Sequence, residues 1–324
     1  MSEKSQYLNQ CNYKYAALYA FTKIHDLQNF KHSLKRVCTD NKVLGTILIA
    51  NEGINGTISG GQDRIKKVIK YIKNYKDIND LEIKYSNSNK HGFYRMKVKI
   101  KKEIVTMGKP DVNPLLSKGK YIEASKWNDF ISKDNVIVID TRNYYETTIG
   151  RFKNSLDPQT NSFKEFPDWA DNLSKKVNKK TKIAMYCTGG IRCEKATSYL
   201  KEKGFKDVYH LKGGILKYLE IIPKSESLWE GDCFVFDQRI SVQHNLKQGK
   251  FYQCYACKMP LLEKDFTNKQ YKEGISCHYC FENSSKEQKL KFAQRQKQIK
   301  LSSKRGEEHI GQKSPSFKRF SSKL

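Results

Sequence analysis

An apolar run, Ile183-Ala184-Met185-Tyr186, leads directly into Cys187-Thr188-Gly189-Gly190-Ile191-Arg192 and then into a helix-like segment, Cys193 to Gly204. This order predicts a buried strand, a short loop and a helix. Two glycines let the loop curl so that backbone N–H groups point inward, and the start of the helix adds partial positive charge. Arg192 closes this ring of donors, so we expect Cys187 to have a lowered pKa and to be nucleophilic near neutral pH. The alternative, a small buried cysteine beside a Gly-Gly turn, does not explain the joint spacing.

The same half of the chain contains further short apolar runs that alternate with helix-like segments. The predicted strands are Val136 to Ile139, Ile183 to Tyr186 and Asp207 to His210, and Ala124 to Ile131 precedes them as a helix. Such alternation predicts a parallel sheet, in which functional residues gather at the carboxyl ends of the strands. Asp140 and Cys187 both stand at such ends.

The N-terminal part of the chain shows a different order of elements. Its predicted strands and helices are Tyr15 to Phe21, helix Asp26 to Cys38, Val43 to Ala50, Ile54 to Ser59, helix Gln62 to Tyr75, Leu81 to Tyr85 and Met96 to Ile100. This β-α-β-β-α-β order predicts a ferredoxin-like α+β sandwich. The glycines of Asn51 to Gly56 lie between two strands, so we expect a hairpin there, with Glu52 and Asn55 free to face a partner.

The formal net charge is +27, from 61 Lys and Arg against 34 Asp and Glu. This balance is typical of proteins that bind nucleic acid, although lysine-rich solvated surfaces of an AT-biased genome give the same total. Arg95 to Lys101 alternates basic and apolar residues, so one face of that strand is expected to be strongly positive. That face is either an RNA contact or an ordinary solvated surface.

At 324 residues the chain has room for two or three domains. It contains no apolar run of the roughly 20 residues that a membrane helix needs. The start, Met1 to Gln6, is polar and lacks the features of a signal peptide, so we expect a cytoplasmic protein with no membrane partner. In that reducing compartment, most of the nine cysteines are expected to serve chemistry or metal binding rather than disulfides.

Two Cys-x-x-Cys pairs near the C-terminus predict a metal site. Cys254 and Cys257 are followed after nineteen residues by Cys277 and Cys280. Four thiolates at this spacing predict a closed tetrahedral zinc site with a structural role in a small ribbon. Two disulfides are the alternative. Beyond it, Ser285 to Lys300 predicts a basic solvated helix. The remaining tail to Leu324 is expected to be disordered, serving either as a spacer or as a contact for nucleic-acid phosphates.

Three segments together resemble the rhodanese domain: Asp140-Thr141-Arg142-Asn143-Tyr144-Tyr145-Glu146, the loop from Cys187 to Arg192, and Leu211-Lys212-Gly213-Gly214-Ile215. The four residues between Cys187 and Arg192 match the rhodanese loop rather than the longer loop of related phosphatases, which implies a small pocket. In that family the cysteine accepts sulfur or otherwise acts as a thiolate or persulfide. The resemblance carries this role onto Cys187.

Longer segments look like those of the oxygen-dependent tRNA uridine(34) hydroxylases. They are Ala50-Asn51-Glu52-Gly53-Ile54-Asn55-Gly56-Thr57, Glu103-Ile104-Val105-Thr106-Met107-Gly108, Asp140-Thr141-Arg142-Asn143, and the run from Cys187 to Ala196. The resemblance covers about residues 13–283. It implies hydroxylation of carbon 5 of the wobble uridine to 5-hydroxyuridine in the tRNA anticodon stem-loop, with molecular oxygen as co-substrate. The electron donor is not visible in the sequence.

The candidate site follows from this resemblance. Cys187 is the proposed catalytic residue, Thr188, Gly189, Gly190, Ile191 and Arg192 form its loop, and Asp140, Arg142 and Cys193 support it. Cys193 is either a resolving thiol or a small packed residue. Asp140, Arg142 and Glu146 are expected to orient loops by hydrogen bonds, with a general-base role for Glu146 as the alternative. His210 is expected to have a packed role.

The expected division is a ferredoxin-like (acylphosphatase-like) domain in 1–108, a linker in 109–120, a rhodanese domain in 121–224, a cysteine-rich zinc-binding region in 225–284, and a basic helix with a disordered tail in 285–324. The linker character begins at Glu103 and is carried by Gly108, Pro110 and Pro114. Two other functions stay open at this stage. One is a thiosulfate or persulfide sulfurtransferase, and the other is a non-catalytic RNA-binding scaffold.

Overall fold

A computed structural model describes residues 13–78, 80–88 and 93–305 of the chain. The expectations for Met1 to Gln6 and for the tail beyond residue 305 lie outside the described residues. The described residues form two compact units. Among the described residues, one unit runs from 13 to 253 and includes 259–262, and the other comprises 254–258 with 263–305.

The N-terminal domain is an α+β sandwich, as predicted. Its elements are β1 (Tyr13–Phe21), α1 (Leu27–Asp40), β2 (Leu44–Ala50), β3 (Gly53–Gly60), α2 (Gln62–Lys73), β4 (Glu82–Ser88) and β5 (Met96–Ile100). The sheet order is β4-β1-β3-β2-β5. The first four strands give the ferredoxin-like arrangement, and β5 extends the sheet parallel to β2.

Both helices cover one face of this sheet because each has a single apolar stripe. In α1 the buried residues are Phe30, Leu34 and Cys38, spaced four apart. The Asp26 side chain accepts a hydrogen bond from the Asn29 N–H and thereby begins the helix. The apolar stripes of α1 and α2 pack against the alternate strand residues that point toward these helices. The opposite face of the sheet is therefore left without helices.

The central domain is built on a parallel sheet. Its elements are β6 (Lys120–Ile122), α3 (Ala124–Ile131), β7 (Val136–Asp140), α4 (Tyr144–Thr147), β8 (Gly150–Phe152), α5 (Phe166–Lys176), β9 (Lys182–Tyr186), α6 (Ile191–Glu202), β10 (Val208–Leu211) and α7 (Gly214–Ile221). The order β6-β10-β9-β7 is parallel throughout. Asp140 and Cys187 therefore lie at carboxyl ends of neighbouring strands, as the sequence predicted.

The segment expected to be a linker has no helix or strand, yet it is packed. Ile104, Met107 and Val112 are buried, and the latter two belong to the core of the central domain. Glu103 forms an ion pair with the fully buried Lys195 of α6 at 2.6 Å. This segment therefore fixes the two domains rather than separating them.

Residues after 224 belong partly to the same unit. The further strands are β11 (Trp229–Gly231), β12 (Cys233–Phe234), β13 (Ser241–Val242), β14 (Tyr252–Gln253) and β15 (Pro260–Leu261). β11 pairs with β8, and Trp229, Cys233 and Val242 pack into the core of the central domain. The expected cysteine-rich region, 225–284, is therefore divided, because its first part completes the core of the preceding domain.

The second unit contains the four cysteines and the long helix α8 (Lys286–Lys304). Ser285 begins α8 through a capping box with Gln288. Nearly all of its side chains are partly or fully exposed, as expected for a basic solvated helix. Among the described helices, none combines the length and the apolar character that a bilayer span requires.

Candidate active site

Cys187 lies at the end of β9, where the chain turns sharply into α6. Gly190 precedes the helix with a φ of 99°, a left-handed conformation that favours glycine. This turn directs the Gly190 N–H at the Cys187 sulfur, with an N–Sγ distance of 3.0 Å. The backbone N–H groups of Arg192 and Cys193 also favour the anionic form of that sulfur, and the Cys193 N–H donates to the Gly190 carbonyl at 3.0 Å. The loop is thus the inward-facing cradle of donors that the sequence predicted.

The cradle changes the acidity of the thiol. Burial of Cys187 raises its pKa, but hydrogen bonds from Cys193, the charge of Arg192 and the backbone N–H groups outweigh that effect and lower the pKa to about 6. Burial without such donors has the opposite result, because it raises the pKa of Cys38 and of Cys233 to about 12. The environment therefore selects Cys187 as a thiolate near neutral pH.

Cys193 lies in the first turn of α6 and is fully buried. Burial and the neighbouring Cys187 raise the pKa of Cys193 well above its ordinary value, so this thiol stays protonated. Its sulfur also lies 3.6 Å from Thr141 Oγ1. The protonated Cys193 is thus a packed residue whose S–H group donates to the Cys187 thiolate.

The guanidinium of Arg192 does not face the sulfur as a hydrogen-bond donor, which corrects one sequence expectation. It forms a bidentate ion pair with Glu146, with N–O distances of 2.8 and 3.1 Å. Glu146 is fully buried and also accepts the Asn143 N–H. Arg192 therefore closes the cradle with its backbone N–H and lowers the pKa of Cys187 through its charge alone.

Asp140 and Arg142 form a fully buried ion pair with an N–O distance of 2.6 Å. Arg142 also donates to the carbonyl oxygens of Gly150 and Glu146, at 2.6 and 3.2 Å. Every polar contact of this pair is thus within the domain. The pair positions the segment that carries Glu146, as expected from its place at the end of β7.

The Gly213-Gly214 motif at the start of α7 packs against the Cys187 loop. The Ile215 N–H donates to the Cys187 carbonyl at 3.0 Å, and the Leu216 N–H donates to Thr188 at 3.1 Å. A Cβ atom on Gly214 would lie 2.5 Å from the Cys187 carbonyl oxygen and 2.7 Å from the Gly190 nitrogen. Only glycine allows the loop and α7 to approach this closely.

A cavity of about 530 Å³ opens beside Cys187. One wall is the loop, including Thr188, Gly189 and Ile191, and the opposite wall is the uncovered face of the N-terminal sheet. The short loop predicted a small pocket. The cavity is larger because the N-terminal and central domains enclose it together. Cys187, although only 1% exposed, therefore lines a space within the usual size range of ligand sites.

Two residues of the N-terminal sheet reach the loop, and sequence reasoning missed both. Lys84 of β4 donates to the Gly189 carbonyl, with an Nζ–O distance of 2.7 Å. Tyr19 of β1 lines the cavity and donates to Glu194 of α6 at 3.1 Å. These contacts join residues more than a hundred positions apart, so no local pattern could have revealed them.

A third wall comes from the segment between β12 and β13, which sequence reasoning also missed. Phe236, Asp237 and Arg239 line the cavity. Arg239 is held by Asp237 at 2.6 Å and donates to Ser86 of β4 at 2.8 Å. This segment therefore links the central domain to the N-terminal sheet at the edge of the cavity.

Two expectations about the hairpin between β2 and β3 are wrong. Glu52 is not free, because it pairs with Lys195 at 2.8 Å and accepts the Ile104 N–H at 2.7 Å. Asn55 donates to the Ile104 carbonyl at 2.8 Å. Both side chains hold the packed segment after β5.

His210 has the packed role expected of it, since its ring stacks on Tyr121 with centroids 4.4 Å apart.

The four C-terminal cysteines lie together. Their sulfur atoms are all within 4.8 Å of one another, and the shorter separations are 3.7, 3.8 and 4.0 Å. A tetrahedron with zinc–sulfur bonds of about 2.3 Å places its sulfurs about 3.8 Å apart. The cluster of Cys254, Cys257, Cys277 and Cys280 is therefore compatible with one tetrahedral metal ion.

Comparisons with known proteins agree with both domains. The family model for the UPF0176 acylphosphatase like domain matches residues 13–104, and the model for the rhodanese-like domain matches residues 123–221. A solved rhodanese-like domain from Anabaena sp. is 20% identical, covers 36% of this chain and 80% of its own, and gives a TM-score of 0.29. The acylphosphatase from Bacillus subtilis is 14% identical, covers 27% and 98%, and gives 0.23. At these TM-scores neither structure supports a conclusion about fold or function.

A curated relative is far more similar along the whole chain. The tRNA uridine(34) hydroxylase of Rhizobium leguminosarum bv. trifolii is 51% identical over 296 residues, which cover 91% of this chain and 96% of the relative. The match spans both domains, the Cys187 loop and the cysteine cluster. This chain belongs to the tRNA uridine(34) hydroxylase family.

Proposed function

We propose that this chain hydroxylates carbon 5 of the wobble uridine at position 34 of tRNA, with Cys187 as the reacting residue. The observation that carries the proposal is the sulfur of Cys187, whose pKa is lowered to about 6 beside a cavity of about 530 Å³. Membership of the hydroxylase family supports the reaction. Neither a sulfurtransferase nor a non-catalytic scaffold is favoured by that membership.

The cavity suits a flipped pyrimidine. Enzymes that act on a base take it out of the stack and enclose it in a pocket, and the anticodon loop presents position 34 unpaired. Apolar atoms dominate the cavity wall, with Lys84, Thr57 and Asn55 among the polar groups. We therefore propose the anticodon stem-loop as the part of tRNA that is bound.

One route uses the thiolate as a nucleophile. Carbon 6 of uracil is electron-poor, so the Cys187 sulfur bonds to it and the electron pair moves toward the carbon 4 carbonyl. Carbon 5 becomes enolate-like and attacks one oxygen of a peroxide that the external electron donor forms from dioxygen, and the O–O bond breaks to release hydroxide. Loss of the carbon 5 proton then breaks the sulfur–carbon bond and returns the thiolate. The backbone donors around the sulfur stabilise the leaving thiolate.

A second route carries oxygen on sulfur. Cys187, as a sulfenate or an oxidised persulfide, transfers its oxygen to carbon 5 and is reduced in the same step. Both routes take oxygen from dioxygen as co-substrate, and both need an electron donor from outside the chain. The cradle serves each, because it holds an anionic sulfur with the N–H groups of Gly190, Arg192 and Cys193.

We further propose that zinc occupies the cysteine cluster. Four thiolates soft enough for zinc, at tetrahedral spacing, leave no open coordination position, so the ion holds a small region together and takes no part in the reaction. The domain division given by the sequence is kept as a proposal, with the boundary near 225 moved toward Gln253 because residues 229–246 pack with the central domain. The cytoplasmic location stays a prediction.

The test is nucleoside analysis of tRNA from a strain that lacks this gene, grown under isotopically labelled dioxygen. Rescue with the wild-type chain is expected to restore 5-hydroxyuridine at position 34 with labelled oxygen. An empty vector is the control and is expected to leave unmodified uridine. Unlabelled 5-hydroxyuridine, or restoration of a thiolated nucleoside instead, would refute the proposed reaction.

A further inference from the structure

The uncovered face of the N-terminal sheet continues beyond the cavity to the sheet edge. One row of paired residues crosses all five strands in register: Lys84, Ala17, Thr57, Thr46 and Lys97. Laterally paired residues project from the same face of a sheet. Since the first four line the cavity, Lys97 of β5 lies on the cavity face.

A second row repeats this arrangement one step along the strands. Tyr19, Asn55 and Leu48 line the cavity, and Leu48 is paired with Lys99. Arg95 lies in the bend immediately before β5, where its carbonyl oxygen accepts the Gly45 N–H at 3.2 Å. We call Arg95, Lys97 and Lys99 the basic ladder. The intervening Met96, Val98 and Ile100 pack against the helices on the other face.

The basic ladder is available to a ligand. Arg95 and Lys99 are exposed and Lys97 is half-buried. Within the ranges that the structure describes, none of the three forms an ion pair. Burial and then the like charges of Arg95 and Lys99 lower the pKa of Lys97. Three adjacent cations without an anion repel one another. An anionic partner on this face therefore lowers the electrostatic repulsion between them.

We propose that the basic ladder binds the phosphodiester backbone of the tRNA strand that carries the target uridine. This inference rests on the proposed function. Lys97 and Lys99 are about 6.7 Å apart along β5, and Lys97 lies four strand spacings, about 19 Å, from the Lys84 end of its row. A few nucleotides of single-stranded RNA span that distance. Phe93 also lines the cavity and offers a ring on which a flanking base stacks.

A linear array of this kind favours RNA over an acidic protein. Phosphates repeat along one direction, as the ladder does, whereas acidic side chains on a folded protein seldom form a line. The ladder also shares one face with the cavity that Cys187 borders. An RNA strand bound at β5 therefore reaches the cavity by crossing the same face of the sheet.

The test is the salt dependence of binding of unmodified tRNA transcript to the full chain. We expect Arg95→Gln, Lys97→Gln and Lys99→Gln together to weaken binding roughly tenfold and to reduce the slope of log affinity against log salt by about 2, since each phosphate contact of a single strand contributes roughly 0.7. The matched control is Arg64→Gln, Lys67→Gln and Lys70→Gln on α2, which removes the same charges from exposed positions. It is expected to change the slope by less than half as much.

Two further variants separate this inference from the proposed function. Lys97→Arg with Lys99→Arg keeps the charges and is expected to keep the slope. Cys187→Ala is expected to bind tRNA with the wild-type slope while forming no 5-hydroxyuridine. If position 34 is never hydroxylated, the proposed function fails. The salt slopes of tRNA binding would still show whether the basic ladder contacts the tRNA backbone.

Three results would overturn the inference. They are equal slopes for the ladder triple variant and its α2 control, a wild-type chain without salt-dependent tRNA binding, and displacement of tRNA by polyglutamate as effective as by single-stranded RNA of equal charge. The last would indicate a general surface for acidic proteins. Thermal unfolding of each variant excludes misfolding, and the ladder triple variant is expected to be at least as stable as wild type because it removes repulsion.

Discussion

Cys187 differs from the other buried cysteines of its unit in its donors, not in its burial. Cys38 lies in a helix and Cys233 at a strand pair, and in both the pKa is raised to about 12. Cys187 receives the N–H groups of a curled loop, and its pKa falls to about 6. The sequence could predict this difference because the strand, the two glycines and the helix start are contiguous. It could not predict that Arg192 would turn to Glu146.

The pH dependence of Cys187 follows from this lowered pKa. Thiolate absorbance, taken as the difference between wild type and Cys187→Ser, is expected to rise with pH around a midpoint near 6. Cys193→Ala removes a donor to the thiolate and is expected to move the midpoint up by about one unit or more. Cys193→Ser retains an O–H donor and is expected to fall between them. A midpoint unchanged in Cys193→Ala would contradict the assigned donor role.

The same pKa has a consequence for stability. Because the folded-state pKa lies below the ordinary value of 9.0, Cys187 contributes stability that is fully present above about pH 9 and is lost as pH falls through about 6. The wild type is therefore expected to gain stability relative to Cys187→Ser between these pH values. Chemical unfolding of both proteins across this range measures the difference.

Arg142 is predicted to be needed for folding rather than for chemistry. Arg142→Met leaves the Asp140 carboxylate buried without its partner and is expected to destabilise the protein by about 3–5 kcal/mol. The matched control is Lys66→Met, which removes an exposed ion pair with Asp63 and is expected to cost less than about 1 kcal/mol. Equal unfolding midpoints for the two variants would contradict this prediction, because the buried ion pair would then contribute no more stability than the exposed one.

At the scale of elements, the turn from β9 to α6 depends on α7. Gly214→Ala places a methyl group against the Cys187 carbonyl and the Gly190 nitrogen, at a φ of 66° that disfavours alanine. We expect a loss of more than about 2 kcal/mol and a raised pKa of Cys187, because the cradle must move. Gly189→Ala is the control in the same loop, since nothing lies within 4 Å of its added Cβ. Denaturant unfolding compares them, and similar losses would contradict this account.

Most helices and strands were predictable because each carries its own periodicity. The apolar stripe of α2 and the alternation in β5 are visible in the sequence alone. The segment 103–119 has no such pattern, so it was taken for a linker. Its buried Ile104 and Met107 are positioned by Glu52, Glu103 and Lys195, and these ion pairs depend on the folded chain.

At the scale of the whole molecule, the site is shared between domains. The sequence predicted the Cys187 loop but not the walls that face it, because Lys84, Tyr19 and Arg239 reach the cavity through long-range packing. Two contacts join the N-terminal domain to α6 and its loop. They are the ion pair between Lys195 and Glu52 and the hydrogen bond from Lys84 to the Gly189 carbonyl. Substrate binding on the sheet can therefore position the base against the sulfur directly.

The cysteine cluster predicts the metal content of the chain. We expect one zinc ion per purified chain by elemental analysis, and loss of that ion in Cys257→Ser. Cys38→Ser is the matched control and is expected to keep the ion, since Cys38 packs in the core of the N-terminal domain. Full zinc content in Cys257→Ser would refute the four-sulfur site.

The central claim is that the thiolate of Cys187 performs the hydroxylation. It is tested most directly by the 5-hydroxyuridine content of position 34 in tRNA from a deletion strain that expresses Cys187→Ser, with Cys38→Ser as the matched cysteine variant and protein levels equalised. We predict no 5-hydroxyuridine with Cys187→Ser and a wild-type level with Cys38→Ser. A wild-type level of 5-hydroxyuridine with Cys187→Ser would contradict the account, because the reacting group would then lie elsewhere.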